Sequence, residues 1–224
     1  MRTRLLVTLG LTAALVTACG GSDGNGESAK KGPQVAADAA NALEKSGAAH
    51  LTGTGTQDGK PMQLDVHVVG ADASGTLTMD GGKVDLVNVG GKFYVRAGGQ
   101  FWTQNGVPAQ AVSLLDGKWV IVPSQAASAL SQFSLQGLAD ELRHPSNGTI
   151  KDAVHTDTLD GHKVVVVTES DGSTLDVAAT GTPYPLRIVD KGSEASTITA
   201  SEFGKKTKIT APSGALDLSQ LAGG

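Results

Sequence analysis

The chain has 224 residues, 39% hydrophobic and 18% charged, with a formal net charge of −4 and 30 glycines. That length fits one ordinary domain or two small ones, and the acidic balance excludes a basic nucleic-acid binder. Adequate apolar content argues against a disordered chain, and a single cysteine excludes an internal disulfide or a multi-cysteine metal site.

Arg2 and Arg4 are followed by an apolar run from Leu5 to Val16. Twelve residues are too few to cross ~30 Å of hydrocarbon as a helix. A basic start, a short apolar core and small residues at its end make an export signal. It closes on Val16-Thr17-Ala18-Cys19, which resembles the lipobox of bacterial lipoproteins. That resemblance implies a signal peptide over residues 1–18 and a lipidated Cys19 as mature first residue, carrying a diacylglyceryl thioether and often a further acyl chain, such as palmitate. Two or more acyl chains anchor stably, at ~0.8 kcal/mol per buried CH₂.

Residues 19–32 then read as the lipidated cysteine and a flexible tether. Positions 20–32, GGSDGNGESAKKG, hold no apolar residue larger than Ala29. Thirteen such residues span about 20 Å, so the domain floats near the outer face of the membrane. Residues 33–224 read as one folded domain.

Residues 33–46 predict a helix: Pro33 suits its first position, Val35, Ala39, Ala42 and Leu43 share a face, and Gly47 stops it. The period then changes. Met62, Leu64, Val66 and Val68 alternate with polar residues, the mark of a half-buried strand. Asp-Gly pairs at 58–59, 80–81, 116–117, 160–161 and 171–172, with Gly-Gly pairs at 81–82, 90–91 and 98–99, are hairpin signals. The β-forming runs between them, at 76–79, 83–89, 92–96 and 100–103, predict an antiparallel meander.

Two apolar sets, one through Leu130 and Phe133 and the other through Leu135, Leu138 and Leu142, predict a helical pair over 124–142 with a register slip near Ser134. Strands are expected again at 149–158, 162–169, 173–179, 184–190, 194–201 and 205–210. Val164–Val167 does not alternate, which predicts a strand covered on both faces. About eleven strands cannot stay flat. The expected fold class is α+β: a curled antiparallel half-barrel sheet with a few helices on its concave face.

In order, the lipobox, the tether, the opening helix, GGKFYVR (90–96), the mid-chain helical block, YPLRIV (184–189) and ITASEFGKKTKITAP (198–212) resemble the actinobacterial LppX/LprAFG lipoproteins. The resemblance covers roughly residues 33–212. It implies a LolA-like half-barrel around an apolar cavity, and a role in binding acylated lipids or glycolipids and assisting their transfer through the cell envelope. It also implies a place on the outer face of the cytoplasmic membrane of a Gram-positive, actinobacterial cell. The family's sites are cavity surfaces, so no catalytic residue carries over. No motif identifies a partner envelope transporter.

A cavity for an acyl chain needs an apolar wall with a few polar groups at its mouth. The candidate lining residues are Met62, Leu64, Val66, Val68, Leu77, Met79, Leu86, Leu130 and Phe133, each of which also fits an ordinary core. The helical pair 124–142 is the expected gate. Three functional readings stand side by side: lipid carrier, interaction or sensing module with a filled core, and carbohydrate binder using Trp102. An enzyme is not expected, nor a cofactor: HExxH, P-loop and GxGxxG patterns are all absent. His155 and His162 flank a predicted hairpin turn as candidate cross-strand neighbours.

Overall fold

The computed structural model describes residues 24–80, 82–123 and 134–218. Positions 124–133 of the helical pair expected at 124–142, and the lipobox, lie outside the described residues. Within them the fold is α+β, with four helices and one twelve-stranded, largely antiparallel sheet.

Helix α1 spans Gly32–Ser46, with Pro33 in its first turn and Gly47 (φ 70°) ending it. Strands β1 (Ala48–Gln57), β2 (Lys60–Val69), β3 (Asp72–Met79), β4 (Gly82–Val89), β5 (Lys92–Ala97) and β6 (Trp119–Ile121) form the first meander. Strands β7 (Ile150–Leu159), β8 (His162–Glu169), β9 (Thr174–Ala178), β10 (Pro185–Asp190) and β11 (Ser196–Ser201) form the second. The two join where β1 pairs antiparallel with β11, from His50↔Ser201 to Gly55↔Ser196. The predicted Asp-Gly turns close β1–β2 and β7–β8: Asp58 and Gly59 have φ of 52° and 73°, Asp160 and Gly161 50° and 82°. Two successive positive φ values match the twist of the strands they connect.

Helix α4 (Leu135–Arg143) opens at the Ser134 position where the register slips: Ser134 Oγ accepts from the Gly137 N–H at 3.0 Å. The Leu135 N–H donates to Gly70 O, fixing α4 over the β2–β3 turn. Arg143 joins α4 to α1, reaching Glu44 at 2.6 Å and Asn41 at 2.9 Å. Beneath the two helices lies the larger core. It takes Val35, Ala39 and Leu43 from α1, Leu135 and Ala139 from α4, and Leu51, Val66, Val68, Val165, Val167 and Val177 from the sheet.

Five expectations change. Residues 100–103 are not a strand but lie in helix α2 (Gly99–Gln104). β5 has already ended, Asp116 Oδ1 accepts the Gly99 N–H at 2.8 Å, and Trp102 folds back to donate to Ala97 O at 3.2 Å. Helix α3 (Ala109–Leu115) follows Pro108, where the sequence pattern predicts no helix. With β4–β6, α2 and α3 build a second core of Val84, Leu86, Phe93, Val95, Trp102, Leu115 and Val120.

Residues 205–210 form no strand, because Lys205, Lys206 and Lys208 leave no apolar face to bury. The chain leaves β11, bonds through the Gly204 N–H to Ala48 O, and ends as β12 (Leu216–Asp217), parallel to β6. Residues 24–31, which read as tether by composition, lie against the sheet. Asn25 binds the carbonyls of Ala178 and Gly181, and buried Glu27 pairs with Lys30 at 2.8 Å. Short polar side chains that satisfy strand-end carbonyls look like linker in composition alone. His155 and His162 are not neighbours either; they face Val166 and Leu159.

Val164–Val167 is buried on both faces, as its lack of alternation predicts, with all four valines at 5% exposure or less. On the outer side Val166 is flanked by its cross-strand partner Asp176, which is buried and held by Arg187 Nε at 2.6 Å.

Candidate functional site

The alternation of β2 puts Met62, Leu64, Val66 and Val68 on the helix-covered face, and the register extends that face sideways. Met62 lies opposite Met79, Leu64 opposite Leu77, and Val66 opposite Gly75. One strand further, Leu77 meets Val84 and Gly75 meets Leu86. The candidates on β2, β3 and β4 therefore share one apolar ladder.

Burial divides that ladder. Val66 and Val68 belong to the core under α1 and α4, and Leu86 to the core under α2 and α3. Leu64 packs partly against the first core and Leu77 partly against the second. Met62 and Met79 sit at the rim. Leu130 and Phe133 lie outside the described residues, as does most of the expected gate.

Two hollows follow from this division. Between the cores, Val66, Ala73, Gly75, Leu86 and Phe93 leave an apolar gap of only about 10 Å³. At the rim, where α2 faces the β1–β2 and β3–β4 turns, a cleft of about 380 Å³ opens. Met62, Met79, Val84 and Phe101 give it an apolar floor; Asp58, Lys60, Asp80 and Lys83 ring it. Lys60 Nζ and Asp80 Oδ2 stand 2.7 Å apart across that ring, and the Asp80 carboxylate raises the Lys60 pKa. The cleft falls within the ~300–1,000 Å³ of ligand pockets and has their pattern of apolar floor and polar mouth.

Gly75 shapes the ladder. A Cβ there would overlap the Asp65 carbonyl oxygen and lie 2.6 Å from Val66 Cα. Only glycine lets β2 and β3 approach this closely at the seam between the cores.

The outer face is different in kind. Thr52, Thr54, Gln63, Asp65, Thr76, Thr78, Thr197 and Thr199 line an open hollow of about 420 Å³. Beside it, Asp85 accepts two bonds from Arg96, at 2.7 and 2.9 Å, and pairs with Lys83 at 3.2 Å. Burial pushes the Asp85 carboxyl up, but Arg96 and Lys83 together hold it below the usual carboxylate range. Arg96 also lies over Trp119, 4.8 Å from its ring centroid. Trp102, the candidate for stacking on sugar, is 3% exposed and belongs to the second core. The carbohydrate reading through Trp102 is therefore withdrawn.

Sequence reasoning finds the ladder but misses the rim cleft, because α2, which forms its far wall, reads locally as a strand.

No protein-family profile matches the sequence, and no curated protein matches it. Among solved structures the chain is similar to LprF from Mycobacterium bovis, at 17% identity and TM-score 0.55, covering 83% of this chain and all of that one. An uncharacterized conserved protein from Thermus thermophilus aligns at 13% identity and TM-score 0.42, over 82% of this chain and 96% of that one. MucB aligns at 17% identity and TM-score 0.36, over 80% of this chain and 63% of that one. The fold is LprF-like: a twelve-stranded, largely antiparallel sheet with four helices among the described residues. None of those helices is long and apolar enough to cross a membrane.

Proposed function

We propose that this chain is an envelope lipoprotein of the LppX/LprAFG type. It is anchored through Cys19 on the outer face of the cytoplasmic membrane, and residues 33–224 form its lipid-binding domain. It takes the acyl chain of a lipid or glycolipid through the rim cleft and assists the transfer of that lipid through the envelope; this role involves no enzymatic step. The carrying observation is the cleft itself, where the inner-face ladder emerges from between the cores as Met62 and Met79. The acyl chain enters over these flexible, polarizable side chains, which adapt to irregular apolar contents. The mixed ring of Asp58, Lys60, Asp80 and Lys83 at the mouth, with donors and acceptors side by side, suits a hydroxylated headgroup. Sheltering sixteen carbons from water is worth about 12 kcal/mol in membrane and carrier alike, so the two stand near balance and the lipid can leave either one.

A second reading has its own observation. The gap of about 10 Å³ between the cores favours a filled interior, and with it an interaction or sensing module at the cell surface.

The test is to express the chain with Cys19→Ser in a lipid-containing host, then extract it and identify co-purifying lipid by mass spectrometry. Acyl lipid near one per chain is the expected result; lipid-free protein favours the module. The anchor has a separate readout: Cys19→Ser releases the protein from the membrane fraction, and unchanged fractionation and mobility overturn the anchor.

A further inference from the structure

Apart from the rim cleft, the described residues bring one group of ligand-bearing side chains together: His50, His67 and Glu202. His50 on β1 and His67 on β2 are direct cross-strand partners on the outer face. Their rings stack, with centroids 4.0 Å apart and planes 9° from parallel. Glu202 is the first residue beyond β11 and comes from the neighbouring strand on the other side of β1. One ligand atom from each of the three lies within 4.8 Å of the others. Asp65, two residues before His67 on the same face, places Oδ1 2.8 Å from His50 Nε2.

We propose that His50, His67 and Glu202 bind a divalent transition cation of the zinc class, with Asp65 as the positioning residue behind His50. Two imidazoles and one carboxylate are donors that Zn²⁺ takes, and three protein ligands leave a fourth position for water. A carboxylate that accepts from Nε2–H leaves the lone pair of that ring on Nδ1 and fixes its orientation, the usual arrangement behind a metal-bound histidine. Ligand atoms around one tetrahedral Zn²⁺ stand about 3.4 Å apart, so the group contracts by up to about 1.4 Å on binding. Side-chain rotation supplies that movement and tilts the two stacked rings, His50 pivoting on its bond to Asp65, until their in-plane lone pairs meet at one point, since all three residues are partly exposed. Glu202 gives up its ion pair with Lys205 at 2.8 Å, an exposed pair of the kind that adds little to stability. The bound cation joins β1, β2 and the chain leaving β11, at the boundary between the two meanders.

The test is calorimetric titration of ZnCl₂ into the purified full chain after chelator stripping. The expected result is one Zn²⁺ per chain. His67→Ala weakens binding at least tenfold, while His155→Ala and His162→Ala leave it unchanged. Asp65→Asn lowers affinity about tenfold and shifts the visible band of the Co²⁺-loaded protein, without changing the melting temperature of the metal-free chain. Should His67→Ala fail to fold, histidine NMR signals of the unaltered chain decide. His50 and His67 shift on adding Zn²⁺ and the other three hold still. Absence of one-to-one binding, a His67→Ala variant that binds as tightly as the parent, or an NMR response spread over all five histidines overturns the proposal.

Discussion

Helix α1 carries fifteen residues across the second meander, where α2 and α3 bring six and seven to the first. The difference in cover is also one of side-chain size. The buried face of α1 is Val35, Ala36, Ala39, Ala40, Ala42 and Leu43, small enough to sit flush on a sheet lined with valine. The cover of β4–β6, the outer part of the first meander, rests on two large anchors, Trp102 and Leu115, with Phe101 and Val112 half-buried beside them. A long alanine-faced helix lies close against the sheet along its whole length. Two short helices held by single anchors leave a cleft where their reach ends. The half that packs less completely is the half with room for a guest.

Single anchors carry more weight, which gives the largest expected effect. Leu115→Ala should cost about 2–5 kcal/mol in urea unfolding, against about 2 kcal/mol for Val177→Ala beneath α1. Equal costs would erase the contrast. Gly75→Ala should cost about 1–3 kcal/mol, because the seam between the halves has no space for a methyl group. An unchanged unfolding midpoint would mean that the strands separate more readily than their contact suggests.

Arg143→Ala loosens α4 from α1 and should cost about 1 kcal/mol at neutral pH. The Arg143 hydrogen bond outweighs burial and holds the Glu44 carboxyl below its usual range. That contribution is present above the unfolded carboxylate pKa and is lost as pH falls through the folded one. The penalty of Arg143→Ala should accordingly fade in acid. The smallest effect has the opposite sign. Burial first, then the charges of Asp171, Asp190 and Glu141, raise the pKa of Glu169. Its ionised form is a cost above the folded pKa, relieved as pH falls toward the unfolded value. Glu169→Gln should raise stability at pH 7 by about 0.5 kcal/mol or less, and the gain should vanish below about pH 4.

Much of this contrast is legible in the sequence. Proline, alanine spacing and Gly47 specify α1; positive-φ pairs such as Asp58–Gly59 specify the hairpins; the unbroken valines of β8 announce a strand buried on both faces. The α2 segment reads as a strand because Phe101 and Trp102 are strong β-formers locally, while their burial depends on folding back over β5. Only the tertiary fold determines that. Of the site, the alternation of β2 reveals which residues share the inner face, but not that Val66 and Leu86 go to different cores. His50 and His67 are recoverable. A two-residue turn at 58–59 pairs Gln57 with Lys60 and, counting outward, His50 with His67. No local signal brings Glu202 to them, because β11 reaches β1 from the far end of the chain.

The most direct measurement of the central claim is photocrosslinking with an acyl chain carrying a diazirine near its terminus, followed by peptide mapping. The account predicts labels on the β2 and β3 peptides at Met62, Leu77 and Met79, and their loss when Met62 and Met79 are both changed to lysine. Label confined to the threonine-lined outer face, or none at all with saturating probe, would contradict it.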